Sequence, residues 1–98
     1  MDIVKTQEIN NLFDIYRPLL TSKQQEIMEM YFLYDLSLSE IADECQTTRA
    51  AAFDLIKRTS KLLENYEQKM HLLEKKIQLL KVIEKTDEKT KEDILKII

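Results

Sequence analysis

Residues 36–55 read LSLSEIADECQTTRAAAFDL, and this stretch decides the fold because its residue types recur where two short helices must cross. Counting Leu38 as the first position, Ile41, Ala42, Cys45, Ala52 and Leu55 fall on the faces that press together, where only small or apolar side chains fit. Ser37 followed by Glu40 spells a capping box that starts the first helix. Thr47 and Thr48 supply an N-cap for the second after a short turn. The pattern predicts a helix-turn-helix, its first helix at about 38–45 and its second from 49 onward.

Upstream, Ile9, Leu12, Phe13, Tyr16 and Leu20 follow helical spacing, with Thr6 able to cap and Pro18 disturbing the end. Thr21 and Ser22, with Gln24 and Gln25 three places later, start a second helix. Its inward residues are expected to be Ile27, Met30, Tyr31 and Tyr34, and residues 35–37 close it.

Downstream, no glycine or proline interrupts the pattern until Thr86, Asp87 and Glu88. The second helix of the pair is therefore expected to run to about Lys85, roughly 55 Å at about 1.5 Å per residue. Within it Ile56, Leu63, Met70 and Ile77 take one heptad position and Thr59, Tyr66, Leu73 and Leu80 the other, the spacing of a coiled-coil seam. Leu72, Leu79 and Ile83 form a second apolar stripe beside it, too wide for a two-stranded zipper to cover. The last segment, from about Asp87, carries a weaker start signal at Thr90 and Asp93, ends in Ile94, Leu95, Ile97 and Ile98, and is expected to fold back. Leu63, Tyr66, Met70, Leu73, Ile77 and Leu80 are the candidate oligomer interface, and a homodimer is expected. Charges at the seam's edges are mixed and leave strand orientation open.

Composition agrees with an all-α protein: the 98 residues include no glycine and one proline, whereas sheets and hairpins lean on glycine turns. The expected organisation is a helical domain over 1–62, containing the helix-turn-helix at 38–61, and an oligomerising extension over 63–98. No apolar run approaches the ~20 residues that span a bilayer. The opening MDIVKTQEIN lacks the basic and then apolar segments of a secretory signal. A cytoplasmic protein without membrane insertion is expected, in keeping with the single cysteine.

Catalysis has little to stand on. His71 is the only histidine and has no nucleophile or acid companion nearby, so an exposed helix position is expected for it. Cys45 reads as a small core residue. One cysteine and one histidine do not make a structural zinc site, and without glycine no phosphate-cradling loop can be written. The expectation is a non-enzymatic protein with no metal and no cofactor.

The net charge of −3 argues against a general nucleic-acid coating protein, because neutralising phosphates takes lysine and arginine. A local basic excess does exist: Arg49, Lys57, Arg58 and Lys61 against Asp54. On a duplex, Thr48, Arg49, Ala50, Phe53, Asp54 and Lys57 would face the groove, with Arg58 and Lys61 nearer the phosphates. The candidate nucleic-acid residues are thus Thr48, Arg49, Phe53, Lys57, Arg58 and Lys61. Arg49 is the best base reader, because its fork can bond two acceptors on guanine. Phe53 suits either a thymine methyl or a protein-interface anchor.

Residues 20–70, LTSKQQEIMEMYFLYDLSLSEIADECQTTRAAAFDLIKRTSKLLENYEQKM, resemble the YlxM family of small bacterial helix-turn-helix proteins, which are themselves similar to region 4 of sigma factors. The LT-x-x-Q start, the tyrosines at Tyr31 and Tyr34, SLSEIA, the TR turn and the NYE ending occur in order, and NLFDIYRP at 11–18 resembles the family's opening. The resemblance implies a regulatory role in the signal recognition particle pathway, with the particle's GTPase or its RNA complex as partner. The alternative is a dimeric, sequence-specific DNA-binding transcription regulator. The chain departs from the usual helix-turn-helix pattern at Gln46, where glycine is common, at Thr47, where an aliphatic residue is usual, and at Ala50 and Ala52. These departures weigh on DNA reading more than on the fold.

Overall fold

The computed structural model describes residues 3–98, which form helices and no strand. In chain order these are α1 (Ile3–Tyr16), α2 (Ser22–Met28), α3 (Leu38–Glu44), α4 (Arg49–Met70), α5 (Leu72–Ile83) and α6 (Glu88–Ile97). The all-α, helix-turn-helix class expected from the sequence is the one adopted, with α3 and α4 as the crossing pair.

Side-chain caps set most of the boundaries. Thr21 Oγ1 accepts from the Gln24 N–H at 3.1 Å while Gln24 Oε1 accepts from the Thr21 N–H at 2.9 Å, and Ser37 and Glu40 repeat the reciprocal box at 3.1 Å each way. Of the two threonines before α4, Thr48 is the cap, accepting from the Ala51 N–H at 3.0 Å. The expected start signal at Thr90 and Asp93 is corrected: Asp87 caps α6, accepting from the Thr90 N–H at 2.7 Å. That bond, with one from the Thr90 hydroxyl, holds the Asp87 carboxyl below its ordinary value. Thr6 is not a cap either, since α1 already runs from Ile3.

Pro18 ends α1 in a 3₁₀ turn, Arg17–Leu19, because it has no N–H to continue the ladder. The Gln25 side-chain amide closes that end by donating to the carbonyls of Arg17 at 3.0 Å and Leu20 at 3.1 Å. Beyond Met28, α2 widens into a π turn, Glu29–Leu33, in which the Tyr34 N–H reaches back to the Glu29 carbonyl at 2.9 Å. The wider turn delays the rotation of later side chains, which corrects one expected inward position. Phe32 is buried, Met30 and Tyr31 are half-buried, and Tyr34 is 67% exposed.

The core gathers around α4. Ile9, Leu12, Phe13 and Tyr16 of α1, Ile27 and Met28 of α2, and Ile41 of α3 enclose Ala52, Ile56 and Leu63. Ala42 and Ala52 are almost fully buried in the helix-turn-helix, with Leu38, Cys45 and Leu55 half-buried beside the core. The turn between the helices places Gln46 at φ 53°, a left-handed position held here by a residue with a β-carbon.

The expected single helix to Lys85 is corrected by a break at His71, whose φ of 56° and ψ of 29° are also left-handed. Neither glycine nor proline marks it; a network joining Tyr16 of α1 to Glu67 of α4 holds it. The Tyr16 hydroxyl donates to Glu67 Oε1 at 2.5 Å and accepts from the Leu72 N–H at 3.1 Å. The Glu67 carboxylate also accepts from the N–H groups of Leu73 and Glu74, each at 3.0 Å. It thereby caps α5 from inside α4. Desolvation pushes the Glu67 carboxyl up, but the bonds from Tyr16, Leu73 and Glu74 outweigh it and hold the group below its ordinary value of 4.5. Burial, then the bond to Glu67, raises Tyr16 above its ordinary value, against the opposing bond from Leu72.

The break splits the expected heptad seam. Leu63 lies inside the chain's own core and Tyr66, Met70 and Leu73 pack against it, whereas Ile77 is exposed and Leu80 half-buried. The fold-back of the last segment is as expected: α6 packs on α5, and Ile97 and Ile98 share a groove with Leu72 and Leu79 of α5 and Ile15 of α1. No helix among the described residues is long and apolar enough to cross a membrane.

Two outcomes follow from this geometry. Gln46→Gly removes a left-handed β-carbon at the price of a looser unfolded chain, so it should raise stability by about 0.5–1 kcal/mol and Tm by a few degrees on thermal unfolding. Glu67, being depressed, contributes stability that is complete above 4.5 and is lost as pH falls through its folded value. In urea titrations across pH, the advantage of the natural chain over Glu67→Gln should be greatest at neutrality and shrink in acid.

Candidate nucleic-acid or partner interface

Because α4 buries the stripe Ala52, Ile56, Thr59 and Leu63, its other faces turn outward. Thr48, Arg49, Phe53, Lys57, Arg58 and Lys61 are all exposed. The Thr48 side chain is occupied by its cap, so it offers a partner less than the sequence pattern suggests. Arg49 stands in the first turn of the second helix of the motif.

The structure brings Phe53, Lys57, Arg58 and Lys61 together around one groove of about 650 Å³ with a largely apolar lining. Ile56 and Ser60 line it from α4, Tyr31 from the π turn, and Lys5 and Glu64 from facing positions on α1 and α4. Thr48 and Arg49 do not line this groove. Tyr31 and Lys5 were not foreseen as site residues. The i, i+4 spacing of Phe53, Lys57 and Lys61 is readable along one helix, but a wall from another element has no such signature.

Charges on the face are unequal in availability. Arg58 pairs with Asp54 at 2.9 Å, one turn apart, and Lys5 pairs with Glu64. Lys57 and Lys61 form no ion pair among the described residues. Phe53 is 49% exposed and Tyr31 packs edge-on against Phe32 with ring centroids 4.9 Å apart. The Ser60 hydroxyl is buried without a hydrogen-bond partner, as are Thr59 Oγ1 and Asn10 Oδ1. Chemically, the face offers an apolar anchor with exposed cations at its rim. No group of histidine, cysteine and acid side chains suited to a metal occurs among the described residues. His71 is exposed as expected, but it stands at the break between α4 and α5 and not within a helix, and its Nδ1 lies 3.1 Å from Glu74, an acid companion the sequence reading did not give it.

Two capped helices crossing on small residues, the second built into the core along one side and exposed along the other, define a helix-turn-helix protein. The chain belongs to the UPF0122 family, whose sequence model, described as "Putative helix-turn-helix protein, YlxM / p13 like", matches residues 3–97. It is 49% identical over 98 residues to UPF0122 protein OB1530 of Oceanobacillus iheyensis, covering 95% of this chain and 93% of that one. It is 52% identical over 75 residues to UPF0122 protein YlxM of Bacillus subtilis, covering 76% and 68% of the two chains. With UPF0122 protein SSU98_0878 of Streptococcus suis the identity is 53% over 72 residues, 74% of this chain and 64% of that one.

Phe53 and Ile56 line the same groove from opposite degrees of burial, 49% and 2% exposed. Phe53→Ala should therefore shift unfolding free energy by no more than about 1 kcal/mol, whereas Ile56→Ala should cost about 2–5 kcal/mol in chemical denaturation.

Proposed function

We propose that this protein is a non-enzymatic regulator of the bacterial signal recognition particle pathway, docking on the particle's GTPase or its RNA complex through the Phe53–Lys57–Lys61 face of α4. The observation that supports this reading is the apolar groove itself. A duplex surface rewards dense cations and polar forks, whereas a half-exposed phenylalanine beside an apolar floor is the anchor of a protein interface. The unpaired Lys57 and Lys61 then contribute electrostatic steering to a negatively charged protein or ribonucleoprotein. In this reading the protein works in the cytoplasm, residues 1–62 carry the partner surface, and residues 63–98 support a homodimer.

One observation favours a second reading, a dimeric regulator that reads DNA. Arg49 is exposed in the first turn of the second helix, where such proteins place a base-contacting side chain. Lys57 would be its companion.

The two readings separate in a binding titration at low and physiological salt against the signal recognition GTPase with its RNA and against random duplex DNA. The expected result is saturable binding to the GTPase complex that survives physiological salt and weakens at least about tenfold in Phe53→Ala. Binding to DNA alone, falling steeply with salt and losing base preference in Arg49→Ala, would overturn the first reading in favour of the second.

A further inference from the structure

We propose that the bend at His71 is a hinge through which α5 and α6 are exchanged between two copies of this chain. The inference stands apart from the α4 groove and from the choice of its partner.

The break occupies a single residue. The His71 N–H still reaches the Glu67 carbonyl at 2.8 Å and the Lys75 N–H still reaches the His71 carbonyl at 2.9 Å, so the helical ladder is intact on both sides. In an uninterrupted helix the N–H groups of Leu72, Leu73 and Glu74 would go to the carbonyls of Gln68, Lys69 and Met70. Here they go to Tyr16 Oη, Glu67 Oε1 and Glu67 Oε2, at 3.1, 3.0 and 3.0 Å. Every donor freed by the bend has a substitute acceptor. The bend thus leaves none of these three donors unpaired, and it places a residue with a β-carbon in a left-handed conformation that the straight form does not require. The sequence through the break, KMHLLEK, contains no residue that opposes a helix.

The arm beyond the hinge is lightly held. Ile83 is the buried residue of α5, and α6 buries none. Leu72, Ile77, Val82 and Leu95 stay substantially exposed although the arm is folded back. Straightening at His71 carries α5 and α6 away from Ile15 and Tyr16 of their own α1. The helix whose chemistry fits that vacated face is already known from the chain itself: α5 of a second copy, bringing the same Leu72, Lys75, Lys76 and Leu79 to the same Asp14 and Ile15. Exchange of an identical element reuses established contacts and so needs no new complementary surface. It also restores the continuous apolar spacing on either side of His71, with Met70 and Ile77 on one helix.

The test pairs two substitutions at one position. His71→Ala favours the straight helix and should raise the dimer association constant at least about tenfold by light-scattering mass across a concentration series, while His71→Gly, at ease in the left-handed bend, should lower it. Tyr16→Phe, which keeps the ring and removes the hydroxyl from the bend, should act like His71→Ala and covers the case in which that variant folds poorly. Spin labels at Lys61→Cys and Val82→Cys in a Cys45→Ser background, diluted with unlabelled chain, report the hinge directly. In the dimer their separation should approach the ~32 Å of a straight helix, and in the monomer it should be shorter. The proposal is overturned if the two His71 variants shift association in the same direction or not at all, or if dimers keep the monomer's label distance. Those readings involve no GTPase, RNA or DNA, so they neither depend on nor decide the partner reading.

Discussion

The inner stripe of α4 is the constraint to which the rest of the structure answers. Ala52, Ile56 and Leu63 lie along one side of a 22-residue helix, and α1, α2 and α3 each bury their own apolar residues by closing on it. Alanine at 52 lets α3 approach, bringing the helix-turn-helix together, while Ile56 and Leu63 fill the space under α1 and α2. Burial on this scale, a few kcal/mol for each large side chain, is what overrides modest local penalties elsewhere. It also decides what is left for function: the residues of α4 that cannot face inward make the Phe53–Lys57–Lys61 surface.

Absence of glycine shapes the connections. A chain of this kind has to reverse direction with residues that carry β-carbons, and Asp35, Gln46 and His71 all take left-handed positions to do so. Each has a local reason to tolerate the conformation. Asp35 follows the π turn, Gln46 follows the last turn of α3 with its N–H on the Asp43 carbonyl at 3.3 Å, and His71 sits between α4 and a helix whose first N–H groups are taken by Tyr16 and Glu67. Small helical irregularities at Pro18 and at Glu29–Leu33, and a turn at Lys85 and Thr86, take up other changes of direction.

Much of the fold was legible because its signals are local. The Ser37–Glu40 and Thr21–Gln24 boxes close within one turn, and the small residues at the crossing are fixed by motif spacing. The break at His71 was not legible, since no glycine or proline marks it and one of the acceptors that replace the helical carbonyls is the hydroxyl of Tyr16, 56 residues from the Leu72 N–H that it receives. Tyr34 was misplaced because helical spacing assumes a constant pitch, which the π turn changes. The candidate surface divides along the same line. Phe53, Lys57, Arg58 and Lys61 were readable from one helix, whereas Tyr31 and Lys5 reach the groove from other parts of the chain.

The π turn has a further meaning for the length of the chain. It is an α-helix that holds one residue more than its pitch accommodates, and this one supplies Tyr31 to the groove wall while sending Tyr34 to the surface. A relative shorter by a single residue between positions 29 and 33 could close the same helix as a regular one and still keep the core in register at Ile27 and Met28. Its groove would then have a different wall, so a one-residue gap in an alignment at this place marks a change in surface shape together with a different seat for the core residue now at Phe32.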